Sequence, residues 1–238
     1  MPRRYAEAKG MSLEAAKAEL GGRYQSILGT LEWYCVDHWS RALGLDIALL
    51  KEEVDHLIAV HPHVREFLEA MRRMRKRVVL VTNAHQKSLA LKLERTRLGG
   101  CFDAVVCAHD LGLAKEEAGF WERLRRVEPF DPERTLFVDD SHAVLAAARG
   151  YGIRWLLAVL RPDSRQPPKG DGGFAAIHDF SEILPPAVGC CTASLGSAKA
   201  VSGPTVNLRS GKIPITWHRV TRHSLTAMES EAKAVSPR

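Results

Sequence analysis

Apolar residues along this chain change their period near His61, and the change divides the sequence. Up to about residue 60 the pattern is helical. Ser12 precedes Leu13-Glu14-Ala15-Ala16, an N-cap residue followed by good helix formers. From Ser26 to Leu43, Leu28, Leu31, Cys35, Trp39 and Ala42 recur at spacings of three and four, which predicts one continuous helix with these residues on its buried face. From His61 onward short β-branched runs alternate with helical stretches. Arg77 to Asn83 reads as a strand, Gln86 to Arg97 as a helix, Phe102 to Cys107 as a strand and Glu116 to Val127 as a helix. Thr135 to Val138, Ser141 to Tyr151 and Ile153 to Leu160 continue the series as strand, helix and strand. This alternation predicts an α/β fold, a Rossmann-like parallel sheet with helices on both faces. After Pro185-Pro186 the chain turns polar, rich in Ser, Thr, Gly and Lys, with no sustained period and an expectation of disorder. The organisation expected is therefore a small helical region over 1–60, an α/β core over 61–187 and a basic tail over 188–238.

Composition narrows the partners. With 45% hydrophobic and 26% charged residues in 238, the chain lies in the globular range. Its net charge of +6 is concentrated in residues 188–238, where seven Lys/Arg against two Asp/Glu give +5 and leave only +1 for the rest. Positive charge without aromatic platforms or a binding fold gives salt-sensitive, unspecific affinity, so no specific nucleic-acid partner is expected. No apolar stretch approaches the roughly 18 residues that span a bilayer, and the basic start is followed by no apolar run, so a cytoplasmic protein without a membrane partner is expected. Cys35, Cys101, Cys107, Cys190 and Cys191 form no C-x-x-C pair and indicate neither a disulfide framework nor a zinc site.

In an open parallel sheet the carboxyl ends of the strands collect the βα loops and helix N-termini, and ligands bind there. The first apolar run ends in Thr82-Asn83-Ala84-His85, which offers a hydroxyl, an amide and backbone N–H groups to a phosphate. The loop after the second carries Lys115 within Gly112-Leu-Ala-Lys115-Glu-Glu, and the third ends in Asp139-Asp140-Ser141. Taken singly, Thr82 can be a plain strand end and Lys115 a solvated loop lysine. Asp139 and Asp140 are harder to dismiss, because adjacent carboxylates repel unless a metal cation or a lysine lies between them. The ordered set on three successive strand ends is more specific than any one of its members.

The succession of Thr82-Asn83, Lys115 and Phe137-Val-Asp-Asp140-Ser resembles the second, third and fourth motifs of the haloacid dehalogenase superfamily. It is similar in particular to the GMP/IMP 5′-nucleotidase branch, through Leu31-Glu-Trp-Tyr-Cys-Val-Asp-His-Trp-Ser40, Leu43-Gly-Leu-Asp-Ile47, Leu80-Val-Thr-Asn-Ala-His85, Leu91-Lys-Leu-Glu94 and Glu133-Arg-Thr-Leu-Phe-Val-Asp-Asp-Ser141, over residues 5–186. The resemblance implies Mg²⁺-dependent hydrolysis of a nucleoside monophosphate, GMP or IMP, through an aspartyl phosphate. On matching positions Thr82 would bond a phosphoryl oxygen with Asn83 beside it, Lys115 would neutralise charge developing on the phosphoryl group, and Asp139 and Asp140 would hold Mg²⁺, Asp140 as the direct ligand.

The helical region before His61 resembles the cap of these enzymes. Within it Trp33 would stack on the purine and Asp37 would accept its ring N–H, with Tyr34 and Arg41 beside them. The chain departs from the family pattern in two places. Nothing in Met1 to Gly22 matches the first motif, Asp-x-Asp-Gly-Thr, which carries the nucleophile at the end of the first strand, so a chain incomplete at its N-terminus and a sheet lacking its central strand are expected. The tail after Ala187 has no counterpart in the family. The alternative function is a catalytically dead phosphate-binding or interaction protein of the same fold.

Overall fold

The computed structural model describes residues 1–163 and 166–185, and three short strands beyond them. Five helices come first: α1 (Pro2–Lys9), α2 (Leu13–Ile27), α3 (Leu31–Tyr34), α4 (Val36–Leu43) and α5 (Ile47–Glu52). Next come α6 (Val64–Arg73), β1 (Arg77–Thr82), α7 (Gln86–Thr96), β2 (Ala104–Cys107), α8 (Ala108–Leu111), α9 (Phe120–Val127), β3 (Leu136–Asp139), α10 (His142–Tyr151), β4 (Trp155–Val159) and β5 (Ala175–Ile177). The last strands are β6 (Thr205–Leu208), β7 (Gly211–Pro214) and β8 (Ser224–Ala227). The α/β fold expected from the alternation is present: six strands form one sheet in the order β2-β1-β8-β3-β4-β5, every pair parallel.

Strand periodicity puts successive side chains on opposite faces, and both faces are covered. Val78, Val138, Leu157 and Val159 pack on one side with Phe67 and Met71 of α6 and with Phe180 and Ile183. Val79, Val81, Phe137, Leu156 and Ala158 pack on the other with Phe120, Trp121 and Leu124 of α9 and Val144, Leu145 and Ala148 of α10. The first five helices gather a separate cluster around Tyr5, Leu20, Trp39, Leu43 and Ile47. Ser12 caps α2 as expected, its side chain accepting from the Ala15 N–H at 3.2 Å.

Two expectations are corrected. The predicted helix from Ser26 to Leu43 is broken into the end of α2, α3 and α4. Gly29 takes φ 83°, and Cys35 is extended at φ −81°, ψ 113°, where its Sγ caps α4 by accepting from the His38 N–H at 3.3 Å. Leu28, expected on the buried face, is 57% exposed as a result. The second correction concerns the centre of the sheet, which was expected to lack a strand. There β8 pairs with β1 on one side and β3 on the other, and it comes from the stretch expected to be disordered. Two parallel strands held a strand's width apart present unmet N–H and C=O groups to each other, and the backbone of β8 meets them. Also within 188–238, β6 and β7 form an antiparallel pair; the remainder of that stretch lies outside the described residues.

The register through β8 sets the geometry of the rim. Val79 and Phe137 both align with Thr226. Thr82, three residues beyond Val79, and Asp140, three beyond Phe137, therefore end at one level of the same edge. Because β8 bonds on both sides, removing a backbone N–H from its middle should be costly. Leu225→Pro, at the position paired with both Val78 and Leu136, is expected to lower the urea unfolding midpoint relative to the unaltered chain. An unchanged midpoint would show that the sheet does not depend on this strand.

Candidate active site

Strand β1 is buried along nearly its whole length and ends at Thr82, whose Oγ1 accepts from the Ala84 N–H at 3.0 Å and turns the chain off the sheet. Asn83, next in line, faces the loop that follows α8. Its Oδ1 accepts from the backbone N–H of Lys115 at 2.9 Å, and its Nδ2 donates to Glu116 Oε2 at 2.8 Å. That loop turns at Gly112, where φ is 68° and an L side chain would be strained. It is braced by the Ala114 N–H donating to Glu117 Oε2 at 2.6 Å. The Lys115 side chain then crosses to the end of β3, where Nζ lies 2.7 Å from Asp139 Oδ2. Both side chains are almost fully enclosed, at 3% and 1% exposure.

The other oxygen of Asp139 accepts from the Ser141 N–H at 2.8 Å, and Ser141 in turn caps α10. Burial pushes the Asp139 carboxyl above the usual carboxylate range, against the opposing pull of the Lys115 ammonium. Asp140 has a lysine of its own. Lys169, from the loop between β4 and β5, donates to Asp140 Oδ2 at 2.5 Å and to the Asp140 carbonyl at 3.0 Å. The mutual repulsion of the adjacent carboxylates is thus met by two ammonium groups, one for each. The structure brings Asn83, Lys115 and Asp139 into direct contact and sets Thr82 and Asp140 at the same edge.

The first helices meet this edge along a seam. The Tyr34 hydroxyl donates to Glu116 Oε1 at 2.6 Å, so one carboxylate holds both Tyr34 and Asn83. Burial, and then the neighbouring Glu116 carboxylate, push the Tyr34 phenol well above its ordinary range. Asp37 Oδ1 accepts from Lys87 Nζ at 2.6 Å, and its Oδ2 lies 3.7 Å from His85 Nε2. The His85 and His109 rings meet edge to face at 5.0 Å. Trp33, expected to point out toward a purine, is instead part of an aromatic cluster within the helical region. Its ring sits 5.3 Å from Tyr24 and 6.1 Å from Trp39, and its carbonyl accepts from Trp39 Nε1 at 2.8 Å. The extended backbone at Cys35 changes the helical phase, so Trp33 and Asp37 do not share the outward face that a continuous helix would give them.

Sequence reading missed Lys169, Glu116 and His109. Glu116 adjoins Lys115 and could have been found by asking what would orient Asn83. Lys169 sits in Pro167-Pro-Lys169-Gly-Asp-Gly-Gly173, a turn-rich segment whose only local signal is a lysine among residues that let the backbone fold back.

Residues 4–152 match the family described as haloacid dehalogenase-like hydrolase. The chain belongs to this family. It is 35% identical over 185 residues to the GMP/IMP nucleotidase YrfG of Escherichia coli (strain K12), covering 78% of this chain and 83% of that protein. It is 23% identical over 151 residues to a phosphoglycolate phosphatase of Pseudomonas putida, covering 62% of this chain and 56% of that one. Among solved structures, a HAD phosphatase from Thermococcus onnurineus superposes with a TM-score of 0.62 at 21% identity, over 76% of this chain and 85% of the other, and shows the shared fold. No helix among the described residues is long and apolar enough to cross a membrane.

The donor set of this hydrolase bears on which metal the rim could take. Among the described residues no group of three or more His, Cys, Asp or Glu side chains converges to hold an ion. Asp139 is engaged on both oxygens, but the Asp140 carboxylate beside it fits a hard cation of the Mg²⁺ kind, which is commonly held by one or two carboxylates and completed by water and phosphate oxygens.

Two outcomes are expected at the seam. Tyr34→Phe removes a hydrogen bond to a carboxylate and should lower the unfolding free energy by ~1–3 kcal/mol in urea titrations; a variant as stable as the unaltered chain would show that the seam is not held there. His85 and His109 are both shifted below the ordinary value of 6.5, chiefly by burial. The unfolded chain therefore takes up protons on them at higher pH than the folded chain does, and stability should fall as pH drops below 6.5. The double variant His85→Gln, His109→Gln should flatten that slope in unfolding midpoints measured between pH 5 and 7; an unaltered slope would place the titration elsewhere.

Proposed function

We propose that this hydrolase is a Mg²⁺-dependent phosphomonoester hydrolase of purine nucleoside monophosphates, converting GMP or IMP to nucleoside and phosphate. The observation that carries the reading is the buried Lys115, whose backbone N–H donates to Asn83 and whose side chain reaches Asp139 at the strand-end rim. A cation enclosed there is positioned to neutralise charge gathering on a phosphoryl group without reorganising, which is the kind of term that dominates phosphoryl transfer. Thr82 would donate its hydroxyl hydrogen to a phosphoryl oxygen, with the Asn83 amide beside it. Asp139 fixes Lys115 and is itself fixed by the Ser141 N–H, while Asp140, at the mouth of the same rim, would be the direct metal ligand. Bound there, Mg²⁺ would supply charge neutralisation and orientation to the phosphate oxygens.

The aspartyl-phosphate route uses an attacking carboxylate from an Asp-x-Asp pair, a pattern that these 238 residues do not contain. The roles argued for this chain are accordingly those of binding, neutralising and orienting the phosphate. Preference for a purine base rests on likeness to the GMP/IMP nucleotidase, 35% identical to this chain. On the cap side Tyr34 and Asp37 stand on the seam and would meet the base, while Trp33 packs against Tyr24 and Trp39.

One observation favours a second reading, a phosphate-binding protein without catalysis: both rim carboxylates are already paired to lysines. Phosphate release from a panel of nucleoside monophosphates separates the readings. It should be measured with Mg²⁺ for this chain and for the same chain extended at its N-terminus by a strand ending in Asp-x-Asp-Gly-Thr. The extended form, whose added strand would have to take the place of β8 between β1 and β3, is expected to release phosphate from GMP and IMP ahead of pyrimidine nucleotides, and Asp140→Asn to cut that rate by about 100-fold or more. An extended form that binds phosphate without turnover would leave the binding reading. Lys115→Ala should also abolish release, but it strands a buried carboxylate and should cost about 3–5 kcal/mol of stability, so Asp140→Asn is the cleaner probe.

A further inference from the structure

Lys169 is not an incidental surface lysine. Its side chain is 22% exposed and its partner Asp140 only 12%. The segment that carries it is tied down at several points. The Lys169 N–H donates to the Leu160 carbonyl at 2.7 Å, and the Gly173 N–H donates to Asp171 Oδ1 at 2.9 Å. The Phe174 ring stacks on His142 at 6.1 Å and lies 4.0 Å beneath the Arg149 guanidinium. At Gly172 the backbone takes φ +61° and passes so close to His142 that a Cβ would lie 2.8 Å from its ring. The loop is thus pressed onto the start of α10, directly after Asp140-Ser141, and delivers one ammonium group to one carboxylate.

Charge limits what this rim can accept. With Lys115 on Asp139 and Lys169 on Asp140, the four groups sum to zero. A divalent cation arriving at Asp140 would face an ammonium 2.5 Å from the same carboxylate oxygen. Two cations sharing one carboxylate in a partly desolvated pocket repel each other. An incoming divalent ion therefore competes with Lys169 for Asp140. Lys115 is enclosed at 3% exposure, whereas Lys169 has a four-carbon stem with a path to solvent.

We propose that Lys169 is a resident counter-cation of Asp140 that a divalent metal ion displaces on binding, so that Lys169 sets the metal concentration at which the site fills. This rests on the reading that Asp140 is the metal ligand, and the two can fail separately. The test uses Mn²⁺ alone as probe, with free Mn²⁺ followed by electron paramagnetic resonance during titration of the full chain. Lys169→Met is expected to bind Mn²⁺ at least about tenfold more tightly than the unaltered chain. Lys169→Arg, which restores a fixed positive charge, should return the affinity to the level of the unaltered chain or below, and Asp140→Asn should lose binding.

Equal or weaker binding by Lys169→Met, with Asp140→Asn still defective, would overturn the proposal and leave the metal assignment standing. Equally tight binding by Lys169→Arg and Lys169→Met would also overturn it, since displacement would then not depend on charge. Mn²⁺ binding that survives Asp140→Asn unchanged, or is undetectable in every chain, would remove the metal assignment and the proposal together. Urea midpoints for each variant identify any that is unfolded, and the charge-retaining Lys169→Arg gives the comparison if Lys169→Met is.

Discussion

A lysine and an aspartate sealed together at the edge of a sheet are an expensive arrangement, and the rest of this molecule's rim is organised around that expense. Taking two ions out of water costs several kcal/mol for each, and their attraction repays it only when geometry and additional hydrogen bonds are good. Here Asp139 receives Lys115 on one oxygen and the Ser141 N–H on the other. The Lys115 backbone is itself fixed by Asn83. Apolar residues of similar volume would serve stability as well, so packing alone does not account for the pair. What it provides is a fixed positive charge within reach of two strand ends.

The same sharing of partners runs outward. Glu116 answers both Asn83 and Tyr34, so the orientation of a residue at the phosphate-facing edge is shared with the helices that lie over it. A displacement of those helices would be felt at Asn83, and through its amide oxygen at the backbone of Lys115. Asp37, Lys87 and His85 form a second tie along the seam. Neighbouring contacts of this kind couple energetically rather than add.

Much of this was legible in the sequence, for identifiable reasons. The strands β1 and β3 announce themselves as β-branched apolar runs, and their ends are where Thr82, Asn83, Asp139 and Asp140 stand. Lys115 was legible because it comes after the next strand end at the loop distance that a parallel sheet requires. The break at Cys35 was not, since the apolar spacing continues through it and a thiol is an uncommon cap. Nor was Lys169, whose meeting with Asp140 depends on a glycine-rich loop folding back across 29 positions of chain. The helix expected from Glu116 starts only at Phe120, because Gly119 takes φ 86°. Strand β8 was invisible for a different reason. Ser224-Leu-Thr-Ala227 lacks a sustained apolar run, and its pairing partners, β1 and β3, lie far from it in sequence.

That last strand has a consequence for how the molecule assembles. It lies at the middle of the sheet yet nearly 150 residues after β1, the neighbour it must join. Contacts so distant in sequence are slow to form, because the loop they close must be ordered before any contact rewards it. During synthesis, β1 through β5 would leave the ribosome with their two halves still unzipped. For that interval the nascent chain would present a pair of sticky edges to chaperones and to its own neighbours.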